Sequence, residues 1–452
     1  MQTSKLIITV MLLLSQISCK KFLDEKPSQT LVTPTTIRDL QSLLDDYIVL
    51  RRCSPGAGEC AADNFYLPDA TWANLTTYRR NLYNWQPANN FEPGNNNDWV
   101  YTYLLVYRAN VVLDNMDLIK RTPGDQDEWN NTKGSALFYR AKSFLEAAWV
   151  WSLAYDEATA ASDPGIPLRL SSNLNTPSVR SSVKDTYDRI LADLKEAVAL
   201  LPLKPLHVLR PSKPAAWAML ARTYLSMRQY DKVWRYADSC LQVNNTLMDY
   251  NGSPYINPAA SYRISRFNPE VIFDAGTVFN QVFSNGLVDS VLYASYSVND
   301  WRKTIFYRLP NQTIGLFRGN YANTDLVFTG IATDELYLLR AEAAARKGNI
   351  QEAMNDVNTL LTKRYKTGTF TPLSANSKEE ALQLILTERR KELAFRCLRW
   401  MDIKRLNKEG AGIVLKRVIN GTVFLLPAND LRFALPIPED VITITGMKQN
   451  PR

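Results

Sequence analysis

Residues 333–363 read TDELYLLRAEAAARKGNIQEAMNDVNTLLTK, and their apolar rhythm decides the fold. Thr333 can cap a helix, with Asp334 and Glu335 in the first turn, where the helix dipole favours negative charge. The apolar stripe then runs Leu336, Leu339, Ala343, while Ala341, Ala344 and Ala345 keep the helix thin enough for a close neighbour. Gly348-Asn349 ends it. A second helix follows, with Asn349 as cap, Glu352 three residues on, and a stripe of Ile350, Ala353, Val357, Leu360 and Leu361. Such a hairpin cannot bury its own apolar faces.

A shift of 120 residues lays a second copy, PAAWAMLARTYLSMRQYDKVWRYADSCL at 214–241, under the first. Trp217 falls under Tyr337, Met219 under Leu339, Ala221 under Ala341, Leu225 under Ala345, Tyr230 under Ile350, Val233 under Ala353, Ala237 under Val357 and Leu241 under Leu361. Helix-turn-helix units with small residues at the contact positions are of the tetratricopeptide kind and stack to share a core. The expected fold is therefore all-α, a helical repeat scaffold covering about 98–243 and 332–406. Two loop-rich regions, about 50–98 and 244–330, interrupt it.

The 452 residues are 46% hydrophobic and 22% charged with a formal charge of +8, and the basic residues are interleaved with acids. That pattern is a solvated surface and excludes a nucleic-acid footprint. The single histidine, His207, lies between prolines, which removes His-based metal sites and Ser-His-Asp or Cys-His catalysis. A hydrolase would need paired carboxylates. Asp45/Asp46 and Glu379/Glu380 are adjacent in sequence and so diverge on a helix, leaving Asp63 and Asp98 as the weak candidates. The expectation is no enzyme, no cofactor and no metal centre, although Asn95, Asn96, Asn97 and Asp98 are the oxygen donors that calcium would use.

Residues 1–18 have a basic Lys5, a nine-residue apolar stretch from Leu6 to Leu14 broken only by Thr9, and a small residue before Cys19. This predicts a lipoprotein signal peptide with acylation at Cys19 and a tether over 19–34. Cys53 and Cys60 flank SPGAGE, a turn that would let them form a disulfide, while Cys240 and Cys397 read as buried hydrophobes. Residues 65–99 gather Phe65, Tyr66, Trp72, Tyr78, Tyr83, Trp85, Phe91 and Trp99 among Asn, Pro and Gly. A second cluster, Tyr293, Tyr296, Trp301, Phe306 and Tyr307, lies in the later loop region, where Glu270–Phe273 and Val291–Tyr293 read as β-like runs. Helices are expected from Trp99, over 134–148, over 184–201 and over 379–400, the last with a Glu392–Arg396 pair. The C-terminal LPIPEDVITITGMKQNPR reads as extended.

Several pieces in order resemble the SusD/RagB family of Bacteroidota outer-membrane lipoproteins. They are Cys19-Lys20-Lys21-Phe22-Leu23-Asp24 with Pro27, Gly165-Ile166-Pro167-Leu168, AWAMLARTYL, Asn268-Pro269-Glu270-Val271-Ile272-Phe273 and LYLLRAEAAARKGN. Glu388 to Leu393 with Arg399-Trp400, and Leu435-Pro436-Ile437-Pro438 with Gln449-Asn450-Pro451, complete the set. The sequence departs from the family at Phe395-Arg396, where members often carry Glu-Gly, and in its short tail. The resemblance implies one SusD-like domain over 35–452, anchored at the cell surface, that captures oligosaccharides for a SusC-like TonB-dependent transporter. Peptides are the ligands in some branches, and a surface glycoside hydrolase is a further alternative. It also implies that the ligand face lies in the aromatic loops, so the candidate contacts are Trp72, Tyr78, Trp85, Trp301 and Tyr307. Sugar rings present apolar C–H faces to such rings, and amides and acids satisfy the hydroxyls.

Overall fold

The computed structural model describes residues 34–50, 52–277, 281–309 and 315–452. The signal segment and the lipidation expected at Cys19 lie outside these residues. The first described helix, α1 (Ile37–Leu44), is closed by a capping box in which Thr36 and Asp39 exchange hydrogen bonds. The scaffold then runs α2 (Asp98–Met116), α3 (Gln126–Trp151), α4 (Val183–Leu200), α5 (Lys213–Ser226) and α6 (Tyr230–Leu241). After the second loop region it resumes with α7 (Thr333–Arg346), α8 (Ile350–Thr362), α9 (Lys378–Glu392) and α10 (Arg399–Asn407). Each helix from α2 to α8 packs on the next, and α6 meets α7 across the intervening loops. This is the all-α, tetratricopeptide-like stack that the rhythm predicted.

The 120-residue register extends into the backbone. Gly348 has φ +88°, and Arg228, its counterpart 120 positions earlier, has φ +61°. At both turns the next amide reaches back five residues at 2.9 Å, Asn349 to the Ala344 carbonyl and Gln229 to the Tyr224 carbonyl. The turn demands a left-handed residue whatever its side chain, at little cost for glycine and more for arginine.

Asp334 and Glu335 stand in the first turn of α7 as expected, where Asp334 accepts the Glu335 amide at 2.7 Å, and both also reach beyond the helix. Thr333 is the first helical residue, preceded by Ala332 at the cap position, and its amide donates to the Glu270 carbonyl at 2.9 Å. Asp334 is buried against Arg396 at 2.7 Å and Glu335 holds Arg222 with both oxygens. Both carboxylates thus join the helices to the rest of the molecule. Asn349 makes no side-chain cap bond to its helix.

Further departures sit where backbone geometry changes. The helix expected over 379–400 stops at Glu392, because Phe395 (φ +60°) and Cys397 (φ +58°) turn the chain before α10 starts. The Glu392–Arg396 pair therefore does not form. Glu392 binds Arg302 and Arg364 instead. Val291–Tyr293 belongs to a short helix, Ser290–Ala294, whereas Val271–Phe273 is a strand paired with Ile331–Ala332. Glu439–Thr445 is helical and ends at Gly446 with φ +67°. A hairpin of Leu415–Ile419 and Thr422–Leu426 turns on Asn420-Gly421, both with positive φ. Asn-Gly is the residue pair such a turn favours.

In the segment between α3 and α4, Pro164–Pro167 pairs with Arg180–Ser182. A Cβ on Gly165 would lie 2.4 Å from the Ser182 carbonyl oxygen, so only glycine fits. Among the described residues, no helix is long and apolar enough to cross a membrane.

Candidate functional site

The first aromatic loop region is held by a residue from the distant hairpin. Arg417, 5% exposed, donates to the carbonyls of Ala62 and Phe65, and reaches toward that of Tyr83 at 3.5 Å. Its guanidinium also lies over the rings of Tyr83, Trp85 and Phe65, at 4.2, 5.3 and 5.6 Å. Ala62 and Tyr83 end the short helices Ala57–Ala61 and Thr77–Tyr83, so a cation meets the negative ends of both. This peg orders the loop.

It also decides the fate of Trp85. Trp85 is 1% exposed and its indole N–H donates to the Ala61 carbonyl at 2.9 Å. Tyr307 is 2% exposed, its hydroxyl 3.1 Å from that of Tyr296. Both are core residues of the loops, a correction to the sequence reading, since neither ring has a face open to a ligand. Trp72 and Tyr78 are half-buried. Trp72 lies under Arg80 at 5.4 Å, on the helix that carries Tyr78. Trp301 is half-buried elsewhere, its indole N–H bonded to Asn251 at 2.8 Å and Lys366 over its ring.

Tyr78 opens onto a cleft of about 120 Å³ formed with Arg79, Asn90, Glu92, Asn96 and Tyr101, and floored by Leu82 and Phe91. Thr76 donates to Glu92 at 2.6 Å, and Tyr101 to Asn96 at 3.0 Å. The Asn90 side-chain amide oxygen is buried and meets no donor among the described residues. Tyrosine rings beside amide and carboxylate oxygens suit a small polyhydroxylated ligand. Sequence reading missed Tyr101, Asn90 and Glu92. The available signal was the Asn97 cap of α2, which puts Tyr101 in the first turn facing the Asn-rich loop.

The two loop regions meet through Phe65–Tyr66, which pairs with Leu287–Val288. The Asp289 amide donates to the Asn64 carbonyl at 2.9 Å, and Arg390 lies between Asp63 and Asp289 at 3.4 and 3.3 Å. Tyr293, half-buried beside Lys303, lies just beyond this junction.

The acids considered for hydrolysis, the exposed Glu379 apart, are committed to structure. Burial alone would raise Asp63, yet Arg399, paired through both its oxygens, and Arg390 hold it well below the usual carboxylate range. Asp98 accepts the Ala57 amide at 2.7 Å, and burial pushes it up to about 6. Asp45 is paired with Arg210 and Asp46 with Arg108. Glu380 accepts the Asn376 amide at 2.7 Å, ahead of its own helix α9. Among the described residues no group of three or more His, Cys, Asp or Glu side chains is placed to hold a metal.

Cys53 and Cys60 are separate thiols, contrary to the expected disulfide. The Gly-rich run between them winds into the helix Ala57–Ala61 in place of a closing turn, and the Cys53 thiol donates to the Val49 carbonyl at 3.0 Å. Burial pushes Cys53 up to about 12 and Cys60 well above its ordinary value.

Comparison with known proteins gives a consistent picture. Residues 21–225 match a family model described as starch-binding and associating with the outer membrane, and residues 331–451 match the SusD family model. The chain is similar to SusD-like protein P2 of Formosa agariphila, 23% identical over 434 residues, covering 80% of this chain and 83% of that one. Among solved structures, a SusD superfamily protein from Bacteroides thetaiotaomicron superposes with a TM-score of 0.70 at 22% identity, over 92% of this chain and 100% of that one. A SusD-like carbohydrate-binding protein from Bacteroides vulgatus gives 0.63 at 21%, over 87% and 89%. A laminarin-binding SusD-like protein gives 0.64 at 17%, over 92% and 99%. At these identities the structural likeness establishes the fold.

Proposed function

We propose, from the premise that this chain belongs to the SusD/RagB family, that it captures oligosaccharides and passes them, without chemistry, to a TonB-dependent outer-membrane transporter. The observation that carries this reading is the cleft in which Tyr78 and Tyr101 face Asn90, Glu92 and Asn96. Tyr78 is its central contact, Trp72 and Trp301 supply flanking ring surface, and Cys19 carries the lipid that keeps residues 35–452, a single domain, at the cell surface. The committed state of the acids supports binding over hydrolysis.

The test uses the soluble form from Lys20 onward, incubated with pools of oligosaccharides and peptides and analysed by mass spectrometry. Laminarin, which a structural relative binds, is the first glycan to include. Intact oligosaccharides should be retained by the native protein and lost from Tyr78→Ala. Retained peptides would refute the substrate class, and shortened glycans would refute capture without chemistry.

A further inference from the structure

A small cavity of about 20 Å³ lies where five distant segments converge, one of them the second loop region at Thr329. Ser54 and Gly58 come from the root of the first loop region, Glu146 and Trp149 from α3, Arg222 from α5, and Arg396 and Trp400 from the turn into α10. Two of these residues carry a buried N–H with no acceptor among the described residues: Arg396 Nη1 and Trp400 Nε1. The two residues are 5% and 1% exposed, so bulk solvent does not serve them.

We propose that this cavity binds one buried water molecule, which accepts from these N–H groups and joins the loop root to the scaffold. The volume suits a single solvent-sized molecule. An apolar occupant would leave the donors unmet, and the guanidinium groups oppose a cation. Charge argues against an anion. The ionic residues of the wall are already neutralised, Arg222 by Glu335, Arg396 by Asp334 and Glu146 by Lys142. Glu146 also receives the Ser54 hydroxyl at 3.2 Å, so an acceptor for the water's own hydrogens stands in the same wall.

The site matters for the cleft because the loop root leads directly into it. The amide of Ala57, one residue before Gly58, is held by Asp98 of α2 at 2.7 Å, and a Cβ on Gly58 would approach the Trp400 Cβ at 3.2 Å. The water would fix Trp400, and Trp400 packs the root.

The test is a crystal structure of the soluble protein at a resolution that shows ordered solvent, with a second data set from bromide-exchanged crystals. The expected result is one fully occupied peak, without anomalous signal, within hydrogen-bond distance of both N–H groups. An anomalous bromide peak would overturn the neutral occupant, and featureless density would overturn the site. Trp400→Phe, which keeps a ring but removes a donor, should weaken or displace the peak. A peak unmoved in that variant would remove Trp400 from the site.

Discussion

Arg417→Met would separate the peg from the scaffold. In the native protein the guanidinium satisfies the carbonyls of Ala62 and Phe65, leans on that of Tyr83, and lies within 5.6 Å of three ring centres. No carboxylate pairs with it among the described residues, so the variant strands no buried acid. It leaves helix-end carbonyls without a donor, each costing about 1–3 kcal/mol. Methionine refills much of the space between the rings, and the carbonyls share one cation, so a total of about 3–5 kcal/mol follows. Unfolding entropies near 2.1 cal/mol/K per residue give roughly 0.9 kcal/mol/K for a chain of this length, and hence a fall in Tm of about 3–6 °C. Calorimetry should show that fall, and the retention assay should show reduced oligosaccharide binding, because the Thr77–Tyr83 helix carries Tyr78. A Tm within about 1 °C of native with unchanged retention would refute the role assigned to Arg417.

Tyr78→Ala should weaken oligosaccharide retention about tenfold with little change in Tm, whereas Trp85→Ala should lower Tm first; equal effects of the two on binding alone would contradict the burial difference between them. Stability should depend on Glu270, which burial pushes up to about 7 despite Arg364 beside it. The folded state keeps a proton that the unfolded chain releases near 4.5, so this contribution is complete at low pH and is lost as pH rises through about 7. Glu270→Gln should flatten that part of the profile, and an unchanged slope in thermal melts between about pH 5 and pH 8 would sink the assignment. Thiol titration of the soluble form should find Cys53, Cys60, Cys240 and Cys397 unreactive when folded and all titratable in denaturant; a pair that resists labelling without reductant would restore the disulfide.

The helices were legible because their signal is local. The stripes of α5 to α8 repeat every three or four residues, and even the left-handed turn at Arg228 could be placed from Gly348 by register. The 420–421 turn carried its Asn-Gly signal openly as well. The break after Glu392 was less visible, since Phe395 and Cys397 are not residues that announce positive φ. The partners of Glu392 and Asp334 are chosen by which helices cross, and no spacing rule contains Arg302 or Arg396 for them.

The aromatic loops show where local reading ends. Trp72 and Trp85 stand in the same Asn-rich stretch, with similar neighbours, and composition treats them alike. Arg417, more than three hundred residues later, draws Trp85 into its box and leaves Trp72 at the surface. The sequence by itself determined the repeat, its register and the helical class, because backbone hydrogen bonding and side-chain periodicity operate within a few residues. Which rings stay open to solvent was set by tertiary packing alone, because exposure depends on what the rest of the chain lays over them.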